Sequence, residues 1–125
     1  MTIFDRKNID LSTRISESNR ILSKNPDKIP VIIECLDNEL NKQLKKNKFL
    51  VPYDVSSSHL LIAVRKNLKI NPYEALFLFN DSVLISGTEL MGTIYENYKI
   101  RNNINDNNND LFMYITLTKE TTFGN

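Results

Sequence analysis

The chain has 125 residues, 41% hydrophobic and 25% charged, with a formal net charge of +1. This is the profile of one globular domain long enough to bury a core. The near-neutral total argues against a dedicated nucleic-acid binder, and no apolar run approaches the roughly 20 residues a spanning helix needs.

Cys35 is the single cysteine. It leaves no internal disulfide and no thiolate cluster for zinc, which suits a reducing, cytoplasmic compartment. No signal-peptide pattern opens the chain.

Ile9, Leu11, Ile15, Ile21 and Leu22 recur at helical intervals and predict a helix over residues 8–24. Asn25-Pro26-Asp27 ends it, because a residue before proline is pushed out of the α region. Ile29 to Cys35 is β-branched and predicts a strand. Asn38 to Asn47 reads as a polar turn, and Lys48-Phe49-Leu50-Val51-Pro52 as a second strand with Leu50 facing opposite to Phe49 and Val51. Ser56, Ser57 and Ser58 are N-cap candidates for a helix bearing the stripe Leu60, Leu61, Val64 and Leu68. Asn71-Pro72 marks a turn or a short helix start, and Ala75 to Phe79 a buried strand. Thr88 caps a short helix carrying Leu90, Met91, Ile94 and Tyr95. Lys99 to Asp110, rich in asparagine, has too little apolar surface to offset ordering and reads as a mobile loop. Leu111 to Leu117 is the last strand.

Helix, two strands, a crossover helix, a strand, a short helix and a final strand form a β-grasp pattern. The expected fold is α+β, with a four-stranded mixed sheet and N-terminal helices. Residues 1–27 form the helical extension, 28–118 the core and 119–125 a flexible tail.

Pro52 lacks a backbone donor, so it places its strand at an edge or ends it. Two readings stand for that edge. It is protected by charge, or it pairs with an extended peptide. Lys42, Lys45, Lys46, Lys48, Arg65, Lys66 and Lys69 face a single acid, Asp54, in this stretch. They form a solvated face or attract acidic peptides or headgroups. His59 reads as exposed surface.

The segments PDKIPVI and KFLVP, with Arg14, Glu17, Ile21, Arg65-Lys66, Ala75-Leu76-Phe77, Met91-Gly92, Ile94-Tyr95-Glu96 and terminal Phe123-Gly124, resemble the autophagy ubiquitin-like modifiers. This is the family of GABARAP and autophagy-related protein eight, and the resemblance covers nearly the whole chain. It implies a ubiquitin-like core and no catalysis or cofactor of its own. It implies a cysteine protease that cuts after Gly124, within Phe123-Gly124-Asn125. E1-like and E2-like enzymes would then join Gly124 to phosphatidylethanolamine on autophagosome membranes.

The resemblance also implies docking of aromatic-x-x-aliphatic motifs of cargo receptors on the second strand. The aromatic pocket would be Glu17, Ile21, Pro30, Ile32, Lys48 and Phe112. The aliphatic pocket would be Phe49, Val51, Pro52, Val55, Leu60 and Ala63, with Leu50 between. Lys28, Lys46, Arg65 and Lys66 would attract flanking acids. Asn25, Ala63, Asn67, Leu84-Ile85-Ser86 and the asparagine-rich insertion depart from the family pattern and mark a divergent member. A non-lipidated peptide-binding adaptor of the same fold is the alternative.

Overall fold

The computed structural model describes residues 4–119. Helix α1 spans Leu11–Lys24, strand β1 Lys28–Cys35, helix α2 Asn38–Gln43 and strand β2 Lys48–Pro52. Helix α3 (Ser57–Arg65), strands β3 (Leu76–Asn80) and β4 (Val83–Leu84), helix α4 (Met91–Arg101) and strand β5 (Met113–Lys119) follow. The sheet runs β2-β1-β5-β3-β4. β1 and β5 are parallel at its centre, and the other neighbours are antiparallel.

Alternation along the two central strands divides the interior. Ile29, Val31 and Ile33 of β1 and Met113, Ile115 and Leu117 of β5 join the main core with Leu60 and Val64 of α3 and Met91, Ile94, Tyr95 and Tyr98 of α4. Ile32 of β1 and Tyr114 of β5 turn the other way and pack with Phe4, Phe112, Ile9 and Ile21. One face of the sheet therefore carries α3 and α4, and the other carries α1 with the segment before it. Pro30 is tolerated inside β1 because pairing with β5 begins only at Val31.

The α+β class agrees with the sequence, but among the described residues the sheet has five strands rather than four. β3 and β4 are joined through Asp81 and Ser82, both at positive φ (51° and 69°). Two such residues form the turn whose twist matches a hairpin, here without the usual glycine signal. β3 starts at Leu76, and it alternates rather than being buried throughout, with Phe77 exposed.

The span read as a polar turn contains α2. Asp37 caps it by accepting from the Glu39 and Leu40 amides, and Leu40 and Leu44 are buried in the core. α1 begins at Leu11, with Asp10 as its cap bonded to Thr13. Leu11 is exposed, and the fully buried α1 residue is Ser18, whose hydroxyl accepts the Leu111 N–H at 2.9 Å. α4 is capped by Leu90, not Thr88, and continues to Arg101.

The asparagine-rich segment is fastened rather than loose. Its first residues complete α4. Asn102 and Arg101 bond Asp81, and Ile104 packs on the core. Asn107 accepts from the Asn19 side chain. Asp110 accepts from Arg14 at 3.1 Å, from the Phe112 N–H and from the Tyr114 hydroxyl. Counting apolar residues misses such anchoring, because Asn and Asp hold backbone by hydrogen bonds instead. The sheet also extends to Lys119, the first residue of the span read as a tail, which pairs with Leu76. Residues 120–125 lie outside the described residues.

Asp110→Ala should cost about 2–3 kcal/mol of stability, since it removes bonds to a mostly buried guanidinium. Asn105→Ala, at an exposed position, should cost less than about 0.5 kcal/mol. Urea unfolding of both variants checks the contrast.

Candidate functional site

Among the described residues β2 pairs only with β1, so its other edge is free. The Ile33 N–H donates to the Asn47 carbonyl at 2.7 Å. In this antiparallel register that bond turns the main chains of Asn47, Phe49 and Val51 toward β1 and those of Lys48 and Leu50 outward. An extended segment arriving at this edge meets unpaired donors and acceptors.

On the α3 side, Phe49, Val51, Pro52, Val55, Leu60 and Ala63 line one cavity of about 500 Å³. All six are the residues that the family resemblance groups as the aliphatic pocket. Lys46 and Leu50 also line it, and the Lys46 ammonium sits 4.9 Å from the Phe49 ring centre. His59, Ile62, Lys66 and Asn67 complete the wall. His59 is exposed as read, yet it belongs to the cavity. Lys66 is among the residues expected to attract flanking acids and Asn67 among the departures from the family pattern, whereas the missed His59 and Ile62 were signalled by their place on α3, one turn from Ala63 and adjacent to it.

On the α1 side the expected pocket residues are together but largely covered. The Lys48 ammonium donates to the Glu17 carboxylate. Pro30 is buried, Ile21 half-buried, and Ile32 and Phe112 are each 0% exposed. The Phe4 ring lies 5.0 Å from that of Phe112, and Lys48 Nζ is 5.1 Å from the Phe4 ring centre. The Asn47 side chain fixes this segment by accepting the Phe4 N–H at 3.0 Å and donating to its carbonyl at 2.6 Å. Arg6 adds a bidentate pair with Glu34 and stacks on Tyr114. Neither Phe4 nor Asn47 was legible as a site residue, because their contact joins positions 43 residues apart.

Two expected residues belong to neither side. The Arg65 guanidinium is engaged by the Glu74 carbonyl, and Lys28 opens β1 opposite Pro52. Burial pushes the Cys35 thiol above its ordinary range, which disfavours a reactive thiolate. Phe123, Gly124 and Asn125 lie outside the described residues. No helix among the described residues is long and apolar enough to cross a membrane.

The exit of β2 is positioned by α4. The Gly92 N–H donates to the Tyr53 carbonyl at 2.9 Å and the Met91 N–H to that of Val55 at 2.8 Å. A Cβ at Gly92 would lie 2.7 Å from the Tyr53 ring and 3.0 Å from its carbonyl oxygen.

The family model "Autophagy protein Atg8 ubiquitin like" matches residues 13–124. The chain belongs to the Atg8 family of ubiquitin-like autophagy proteins. It is 40% identical over 111 residues to autophagy-related protein 8 of Schizosaccharomyces pombe, covering 89% of this chain and 85% of that protein. It is 37% identical over 123 residues to autophagy-related protein 8e of Arabidopsis thaliana, covering 98% and 93%. The crystal structure of Trypanosoma brucei ATG8 superposes with a TM-score of 0.78 at 26% identity, covering 95% of this chain and 96% of that one. The architecture is therefore the ubiquitin-like fold of the Atg8 family, and the matched span takes in β1, β2 and α3 and ends at Gly124.

Gly92→Ala should destabilise this Atg8-family domain by about 1–3 kcal/mol, because the added methyl has no room against Tyr53. A thermal melt, with amide spectra showing shifts at Tyr53 to Val55, checks it.

Proposed function

We propose that this chain is a ubiquitin-like modifier joined through Gly124 to phosphatidylethanolamine, and that on the autophagosome membrane β2 docks aromatic-x-x-aliphatic segments of cargo receptors and autophagy factors. The observation that carries the docking part is the cavity of about 500 Å³ beside the free edge of β2. Side chains of an added strand alternate between the faces of the sheet, so residues i and i+3 point to opposite sides. One anchor then enters the cavity under α3, while the other meets the Lys48 and Phe4 side. Main-chain bonds to Lys48 and Leu50 supply affinity, and the pockets supply specificity. Lys46 and Lys66 at the cavity supply the field for flanking acids.

Family membership supports the conjugation part, as does a match that runs through Gly124. A cysteine protease would hydrolyse the bond between Gly124 and Asn125. E1-like and E2-like enzymes would carry the Gly124 carbonyl as a thioester. The lipid amine attacks that carbonyl, an amide forms, and the thiolate leaves. Glycine suits the step because no Cβ hinders approach. Two acyl chains then give stable anchoring, where one gives marginal binding. The protein is a substrate of this chemistry, not its catalyst.

In cells the wild-type chain should be membrane-bound with its C-terminus at Gly124, and Gly124→Ala should stay off membranes. Mass spectrometry and fractionation check this, and a membrane-bound chain retaining Asn125 would contradict it. For docking, Lys46→Glu should weaken an acidic motif peptide about tenfold from a near-micromolar Kd, or roughly −8 kcal/mol. Lys46 is exposed, so the fold should hold. Phe49→Ala is a poor probe, since Phe49 lies in the core and its loss costs about 3–5 kcal/mol. Calorimetry showing full affinity in Lys46→Glu would contradict docking at this edge.

A further inference from the structure

The two sides of the β2 edge are unequal. Beneath Phe4, Ile32 and Phe112 have no exposed surface, while the cavity between β2 and α3 stands open at about 500 Å³. We infer that this cavity selects an aromatic anchor, so that the segments this chain docks carry a large ring where an aliphatic residue would otherwise stand. The inference rests on the docking of an extended segment at β2 proposed above, and it revises that segment's second anchor from aliphatic to aromatic.

The depth of the cavity comes from the middle of α3. The residues of α3 and its end that line it are His59, Leu60, Ile62, Ala63, Lys66 and Asn67. Ala63 sits at the centre of that stripe, one turn from the residues on either side. A single methyl stands where its neighbours carry longer side chains, so the wall steps back there. Asn67 does not refill the space, because its amide turns back to donate to the Ala63 carbonyl at 3.0 Å.

The rim adds to this. Leu50 and Ile62 are 41% and 54% exposed and offer apolar surface on opposite lips. The Lys46 ammonium already stands over the Phe49 ring at 4.9 Å. A second ring entering beside Phe49 comes within reach of the same cation, whereas an aliphatic anchor gains nothing from it. The cavity is open to solvent, so a branched aliphatic side chain leaves more of its apolar lining in contact with water than a ring does. A ring buries about 150–250 Å² and fills more of it.

The test uses the full chain and two synthetic peptides, identical except for Phe or Leu at the second anchor, titrated calorimetrically. Wild type should bind the Phe peptide about tenfold tighter than the Leu peptide. Ala63→Leu, whose melt reports that it is folded, should weaken the Phe peptide about tenfold and leave the Leu peptide within about twofold. The wild-type comparison stands even if that variant fails to fold. Equal binding of the two peptides, or tighter binding of Leu, overturns the aromatic preference and leaves the docking reading intact. If neither peptide binds and the Lys48 and Leu50 amide resonances do not move, the docking reading falls and the inference falls with it.

Discussion

The antiparallel pairing of β1 with β2 is the contact on which the rest depends. It joins an edge strand of five residues to the centre of the sheet in one register. That register decides which β2 groups face β1 and which face outward. A slip of one residue would exchange the two sets and send Phe49 and Val51 to solvent. Because β1 also pairs with β5, both faces of the sheet are specified by the same alternation. The cavity under α3 and the Phe4 cluster under α1 are the two sides of one strand.

Polar contacts do much of the fastening around this frame. Asn47 holds Phe4 by both of its main-chain groups and also donates to the Ile33 carbonyl at 3.3 Å. Asp110 gathers Arg14, Phe112 and Tyr114. Each joins distant parts of the chain through a side chain that is short and polar. Loss of such a partner leaves buried groups unpaired, which costs more than the bond itself contributes.

Strand alternation and helix stripes made the sheet and α3 legible. Pro52 pointed to an edge or the end of β2, and the six residues that the family resemblance grouped as the second pocket line one cavity. The segments that misled share a physical cause. α2 is a one-cap helix with few apolar residues, β4 follows a turn without glycine, and the asparagine-rich stretch is held by hydrogen bonds. Periodicity reports burial of apolar faces and is blind to these. The covering of Ile32 and Phe112 by Phe4 was equally hidden, because it depends on a contact between the segment before α1 and the residue before β2.

Docking as proposed requires the free edge of β2 to receive an added strand. Amide hydrogen exchange of the full chain with and without a motif peptide tests it most directly. Exchange should slow at Lys48 and Leu50, whose main chains face outward, while Phe49 and Val51, already turned to β1, change little. Slowing confined to residues away from β2, with Lys48 and Leu50 unaltered in the saturated complex, would contradict it.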